Sequence, residues 1–283
     1  MYKIIDGKQI SSDIKEEMKN EVAALNKSGI SVGLAVVLVG NDPASKVYVG
    51  NKKKACEALG IVSSEYLLPE DTTEETLLAL IDKLNADDSV DGILVQLPLP
   101  RHLDEKKVIN AISPSKDVDA FHPVNVGEIM IGDYTFAPCT PAGIIELIER
   151  SGISLEGKSC VVIGRSNIVG KPMGALLLAE DGTVTTCHSR TKNLAEITKQ
   201  ADILVAACGR AKMITADMVK EGAVLVDVGI NRVGDKLLGD IDFDACAEKA
   251  SLITPVPGGV GPMTIAILMQ NTLTSYKMRF NLK

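Results

Sequence analysis

No Cys-x-x-Cys pair occurs in this 283-residue chain, whose six cysteines, Cys56, Cys139, Cys160, Cys187, Cys208 and Cys246, are scattered. That spacing indicates neither a zinc site nor a disulfide framework, and it reads as small core residues in a reducing compartment. Histidine is scarce as well: His102, His122 and His188 form no i,i+4 pair, which leaves metal catalysis and a serine–histidine triad little to be built from. No apolar run approaches the roughly 18 residues of a spanning helix. The opening Met-Tyr-Lys-Ile-Ile-Asp turns charged too soon for a signal-peptide core. The expectation is a cytoplasmic protein with no membrane partner. Positive charge is also short, since 30 Lys and Arg against 37 Asp and Glu leave a net charge of −7, which argues against nucleic acid as a partner.

What is present is a large core and an alternating pattern. With 46% hydrophobic residues over this length, about two domains are expected. An amphipathic helix carrying Ile10, Ile14, Met18, Val22 and Leu25 opens the chain. The buried strand Leu34–Val39, a helix over 44–59, a strand over 61–68, a helix capped by Thr72 with Glu75 in the box position, and the strand Gly92–Gln96 follow. Strands alternating with helices imply right-handed crossovers and a parallel sheet. A loop-rich stretch over 113–138 reads as the passage between domains, after which Thr140 caps an inter-domain helix with Pro141 at its first position. A second series places strands near 159–163, 183–187, 203–206, 224–228 and 251–254, the order of a Rossmann domain. A last helix over about 263–277 returns to the first domain. The expected fold class is α/β, with two α/β domains, the second of Rossmann type, and a cleft between them. The expected spans are 1–139 joined by 263–283, and 140–262.

The cofactor reading rests on Cys160-Val-Val-Ile-Gly164-Arg165-Ser166-Asn-Ile-Val-Gly170-Lys-Pro-Met-Gly174, an apolar strand running into a glycine-punctuated turn and a helix. Such a turn brings backbone N–H groups and the positive end of a helix to a pyrophosphate, although the spacing is not the usual G-x-G-x-x-G. The acid that would bind the ribose 2′-hydroxyl of NAD about 20 residues on is missing. The second strand instead ends in His188-Ser189-Arg190-Thr191-Lys192, and Arg165 stands in the turn itself. Arginine matches phosphate bidentately, so this end of the site is expected to take the 2′-phosphate of NADP. For Arg190 and Lys192 a solvated basic turn remains an equal reading.

Chemistry is concentrated earlier. Ser45-x-x-Tyr48-x-x-x-Lys52 sets three polar side chains at i, i+3 and i+7 on one helix face, near the carboxyl end of a strand, and Gln96 closes another strand at the same edge. A shared cleft and a solvated face with a snorkelling lysine both fit that pattern. Two loops also stand out: Lys116-Asp117-Val118-Asp119-Ala120, with carboxylates two apart, and Pro255–Thr264, rich in glycine and proline.

Taken together these residues resemble the bifunctional methylenetetrahydrofolate dehydrogenase/methenyltetrahydrofolate cyclohydrolase family. Its motifs appear in order as Ser45-x-x-Tyr48-x-x-x-Lys52, Val95-Gln96-Leu97-Pro98-Leu99-Pro100, Lys116-Asp-Val-Asp119, Pro138-Cys-Thr-Pro-x-Gly143, Gly164-Arg-Ser-x-x-Val-Gly170-x-Pro172, Asp227-Val-Gly-Ile-Asn231 and Pro257-Gly-Gly-Val-Gly-Pro-Met-Thr264. Ala120 departs from it, standing where the family usually has glycine. The resemblance implies oxidation of 5,10-methylenetetrahydrofolate with NADP and hydrolysis of the 5,10-methenyl product to 10-formyltetrahydrofolate, both steps in one cleft. It implies Lys52 as hydrolytic base, Gln96 as its orienting partner, Tyr48 stacking on the folate, and Asp119 accepting from the pterin. Ser45, Pro257, Gly258 and Gly259 join these in binding substrate, and Gly164, Arg165, Ser166, Ser189, Arg190 and Ile230 bind NADP. Tetrahydrofolate derivatives are the expected partners, and the family implies a homodimer through the Rossmann domain. A monofunctional dehydrogenase or cyclohydrolase is the nearest alternative, and a non-catalytic folate or nucleotide sensor a more distant one.

Overall fold

Gly33–Val39 is apolar at every position but its first, and every residue of it is buried, as befits the central strand of a parallel sheet covered on both faces. In the computed structural model, which describes residues 2–282, it lies between Val62–Leu68 and Gly92–Val95, paired in parallel with both. The expected span ends at residues 1 and 283 lie outside the described residues. The chain forms two compact units: residues up to Ser12 with Thr140–Thr264, and Asp13–Cys139 with the residues from Ile265 on.

The three-stranded unit builds its helices from local signals. Pro43–Leu59 starts at Asp42, whose carboxylate accepts from Ser45 N at 2.7 Å, and it stops at Gly60 in the left-handed conformation. Glu74–Ala86 is capped by Thr73, which accepts from Thr76 N at 3.2 Å, and not by Thr72. The Thr72 hydroxyl is already committed, donating to Pro69 O at 2.7 Å. Leu77, Ile81 and Leu84 are its buried face. The stretch expected to be a loop contains the helix Pro123–Ile131, begun by proline and a His122 cap and closed by Gly132. Its exposed Val124, Met130 and Ile131 break the apolar periodicity that marks a helix in sequence.

The six-stranded unit runs Lys3–Ile4, Leu252–Ile253, Val224–Asp227, Ile203–Ala206, Ser159–Ile163, Thr183–Cys187, with all pairings parallel. The strand order turns back at Ser159–Ile163, so a topological switch point lies between its carboxyl end and that of Ile203–Ala206. Residues up to Ser12, expected in the first domain, belong here instead. Lys3 N donates to Ser251 O and Ile5 N to Ile253 O, each at 2.9 Å, and the Ser11 hydroxyl donates to Pro262 O at 3.0 Å. A hairpin, Asn231–Val233 with Lys236–Leu238, adds an antiparallel pair absent from the expected order. The helix expected to be capped by Thr140 spans Cys139–Arg150, and the Thr140 hydroxyl instead meets that of Thr264 at 3.0 Å. The last helix spans Val260–Arg279. The Leu97–Pro98 and Val256–Pro257 peptides are cis. Among the described residues no helix is long and apolar enough to cross a membrane.

Candidate functional site

Helix Pro43–Leu59 turns Ser45 and Lys52 inward, at 3% and 7% exposure, and leaves Tyr48 38% exposed. Lys52 is therefore no solvated snorkelling lysine. Its Nζ donates to Gln96 Oε1 at 3.0 Å, and Gln96 Nε2 donates to the neighbouring carbonyl Leu97 O at 2.7 Å. That second bond fixes which end of the amide faces the lysine. Burial lowers the Lys52 pKa from its ordinary 10.5, while the Asp119 charge and, more weakly, Cys139 and Cys56 pull it back. An amine whose charged form burial disfavours, held at a fixed acceptor, is a group suited to moving protons. Ser45 has a local duty as well: its N–H and hydroxyl hold the Asp42 carboxyl below the usual range.

Asp119 is partly exposed. Burial raises its pKa, opposed by the Lys52 charge and by a bond from the Cys139 thiol, whose Sγ lies 3.7 Å from Oδ1. Two neighbours with no role at this site assigned from sequence, Cys139 and Asn271, hold this loop. Cys139 Sγ also lies 3.3 Å from Val118 O, and Asn271 Nδ2 donates to Val118 O at 2.9 Å and Ala137 O at 3.1 Å. Asp117 points into protein, accepting from His122 N at 2.7 Å and Asn125 Nδ2 at 2.9 Å. Burial pushes its carboxyl up to about 6.

Ala120, between these anchors, is buried with φ of +56°, the left-handed conformation that glycine adopts freely. Left-handed backbone costs alanine about 1–2 kcal/mol, but Ala120→Gly also loses a buried methyl, about 0.8 kcal/mol, and loosens the unfolded chain. The terms nearly cancel. The unfolding free energy of Ala120→Gly from denaturant titration is therefore expected to change by less than about 1 kcal/mol, and a loss of several kcal/mol would show that the methyl packing dominates.

In the six-stranded unit, the turn after Ser159–Ile163 has no room for side chains. A Cβ on Gly164, whose φ is +138°, would lie 2.3 Å from Ala207 O, and one on Gly170 would lie 2.4 Å from Gly164 O. Ser166 Oγ accepts from Val169 N and Gly170 N, each at 3.2 Å, at the start of helix Gly170–Ala179. The N–H groups of Arg165, Ser166, Asn167 and Ile168 make no hydrogen bond to another described residue. Free donors and a helix N-terminus at a switch point fit a dinucleotide pyrophosphate.

Register pairs Ile163 with Cys187, so Arg165 and the His188–Lys192 turn leave neighbouring strand ends. That turn is tied by His188 N to Thr191 Oγ1 at 2.9 Å and Arg190 N to His188 Nδ1 at 3.2 Å, leaving Ser189 and Arg190 exposed. No carboxylate occurs in it. Ile230 is exposed on the loop after Val224–Asp227. Pro257, Gly258 and Gly259 belong to this unit, unlike Lys52, Gln96 and Asp119, which the structure brings together in the other. The Gly259 backbone packs so closely on Gly7 that a Cβ there would meet Gly259 O.

Two family models match the chain: "Tetrahydrofolate dehydrogenase/cyclohydrolase, catalytic domain" over residues 5–119, and the corresponding "NAD(P)-binding domain" over residues 138–280. The chain is 62% identical over 282 residues to the bifunctional protein FolD of Acetivibrio thermocellus, covering 99% of each. It is similar to the crystal structure of the bifunctional enzyme FolD, a methylenetetrahydrofolate dehydrogenase/cyclohydrolase, from Campylobacter jejuni (52% identity, TM-score 0.97, 99% and 100% covered). It is also similar to the Trypanosoma brucei enzyme complexed with NADP and an inhibitor (38% identity, TM-score 0.96, 99% and 98% covered). With matches of this extent in both units, the chain belongs to the tetrahydrofolate dehydrogenase/cyclohydrolase family.

Proposed function

We propose that this protein oxidises 5,10-methylenetetrahydrofolate with NADP and hydrolyses the resulting 5,10-methenyl cation to 10-formyltetrahydrofolate. The observation that carries the reading is the buried Lys52 bonded to Gln96 beside Asp119, in a chain whose relatives are bifunctional. NADP, when bound, supplies the hydride acceptor for the first step. Hydride transfer needs close, fixed geometry and little acid–base help.

Hydrolysis uses this chain's own groups. As water adds to the cationic one-carbon bridge it must lose a proton, and a proton must return to N5 as the carbon–N5 bond breaks. Lys52, oriented by Gln96 and acting in its deprotonated form, takes the proton of the attacking water and delivers it to N5, while the hydroxyl proton of the adduct passes to solvent as the carbonyl forms, so that one proton is released overall. A cationic substrate lowers the lysine further, whereas Gln96 adds no charge to raise it. Tyr48 stacks on the folate ring system, Asp119 accepts from the pterin N–H groups, and Ser45, Pro257, Gly258 and Gly259 add substrate contacts. Gly164, Arg165, Ser166, Ser189, Arg190 and Ile230 hold NADP.

Absorbance assays with methylenetetrahydrofolate and NADP or NAD, followed by hydrolysis of isolated methenyltetrahydrofolate, test both activities. One positive result alone would favour a monofunctional enzyme. The pH profile probes the base. Lys52 acts deprotonated, so hydrolysis rises with pH through its pKa, with a half-point below 10.5. Asp119 is the charge that raises this pKa, so Asp119→Asn is expected to move the half-point to lower pH besides weakening substrate binding. A half-point that stays in place would disconnect the carboxylate from the base.

The protein is further proposed to be cytoplasmic, with its cysteines free thiols, and to form a homodimer through the six-stranded unit. Strand Thr183–Cys187 is an open sheet edge with Thr183, Thr185 and Thr186 exposed, and Leu178 is 61% exposed on the preceding helix. Light scattering giving the mass of a single chain would overturn the dimer.

A further inference from the structure

Two carboxylates, Asp227 and Asp240, are sealed in the six-stranded unit at 4% and 0% exposure, and neither has an ion-pair partner among the described residues. Buried charge without a counter-charge persists only where hydrogen bonds replace water. Asp240 Oδ2 accepts from Cys208 N at 2.7 Å and Gly209 N at 2.9 Å, and Oδ1 accepts from Arg210 N at 2.8 Å and Asn231 Nδ2 at 2.9 Å. Three consecutive backbone N–H groups therefore close around one side chain.

Asp227 holds Asp240 in turn. Its Oδ1 accepts from Asp240 N at 2.8 Å and Gly229 N at 3.0 Å, its Oδ2 accepts from Ile241 N at 2.9 Å, and its own N–H donates to Thr254 Oγ1 at 2.7 Å. The fit leaves no slack: a Cβ on Gly229 would lie 2.3 Å from Asp240 Oδ1.

The clamped segments are the loops leaving the carboxyl ends of Ile203–Ala206 and Val224–Asp227. Ala207 O is the atom that abuts Gly164 at the switch point, and Ile230 stands exposed in the second loop. A dinucleotide whose pyrophosphate rests on the Gly164 turn extends its nicotinamide half over these strand ends. We propose that Asp240, held by Asp227, is a positioning residue of the dehydrogenase reaction, fixing the 208–210 and 229–231 loops against the nicotinamide-ribose half of the cofactor. This rests on the function proposed above.

Asp240→Asn keeps the volume but offers one acceptor oxygen to two pairs of donors. NADPH binding, followed by fluorescence titration without turnover, is expected to weaken about tenfold, the effect of one lost hydrogen bond to a charged group. NADH is expected to weaken by the same factor, because these loops face the half that both cofactors share. Hydrolysis of isolated methenyltetrahydrofolate should stay at the parental rate. Unchanged NADPH binding would overturn the proposal, and so would parallel loss of binding and hydrolysis in a folded variant, which would mark the clamp as structural only. Should Asp240→Asn fail to fold, Asn231→Ala removes one of the four donors to Asp240, together with a bond to Leu238 O, and is expected to weaken both cofactors by a smaller, equal factor; no change there would also overturn it. A parent chain that binds no NADPH would instead overturn the function on which the proposal rests.

Discussion

Lys52→Met is expected to lower methenyltetrahydrofolate hydrolysis by roughly 10²- to 10⁴-fold, the usual contribution of a positioned general acid–base group, while NADPH binding stays intact. Methionine matches the length and volume of the lysine stem but cannot carry a proton. Two opposing terms decide stability. The substitution removes an amine whose pKa is set chiefly by burial, which favours the variant, and it strips Asp119 of its nearby cation. Asp119 is partly exposed and can take up water or a proton, so the loss on that side is small. The variant is therefore expected to melt no lower than the parent, beyond the ~1.5 kcal/mol that a volume-conserving swap costs. Hydrolysis persisting at the parental rate would place the base elsewhere.

Arg165→Ala is expected to weaken NADP by roughly 10- to 100-fold, the range for hydrogen bonds to a charged partner, and to leave NAD nearly unchanged. Arg165 is exposed beside a strand end that lacks a carboxylate, so it is free to meet a phosphate and nothing there favours a bare ribose hydroxyl. Raised salt should narrow the gap between the cofactors, because an exposed ionic contact is screened. Equal losses for NADP and NAD would show that Arg165 binds the shared part of the molecule, and Arg190 would then be the next residue to replace.

Where the sequence was legible, the signal was local. Gly33–Val39 reads as a strand because a buried parallel strand needs unbroken apolar residues, and helix Pro43–Leu59 reads from its proline start and polar face. Lys3–Ile4 carries no such signal, since two residues form a strand only by pairing with Leu252–Ile253 at the far end of the chain. Helix Pro123–Ile131 stayed hidden because Val124, Met130 and Ile131 face outward while the polar Asn125 is buried beside Ile129.

The same division holds for the candidate site. Helical spacing put Ser45, Tyr48 and Lys52 on one face, and the strand end put Gln96 near them. Spacing could not show that Lys52 is buried, nor that Cys139, read as one of several scattered core thiols, abuts Asp119. Asp240 was passed over for a related reason: Gly239-Asp240-Ile241 looks like loop punctuation until the N–H groups some thirty residues upstream are seen to converge on it.

The interleaving of the two units bears on the order in which the chain is made. Most of the three-stranded unit, Asp13–Cys139, precedes most of the other, yet it also includes the residues from Ile265 on. Those late residues hold the Asp119 loop: Asn271 binds Val118 O and Ala137 O, and the Ser275 hydroxyl donates to Asp91 O and Ser115 O, each at 2.6 Å. A chain emerging from the ribosome can gather every segment of the six-stranded unit before the other is complete. Cys139 reaches the Asp119 loop early, but the Asn271 anchor comes only with the residues after Thr264, so the cofactor turn is expected to be assembled before the loop beside Lys52 is fully held.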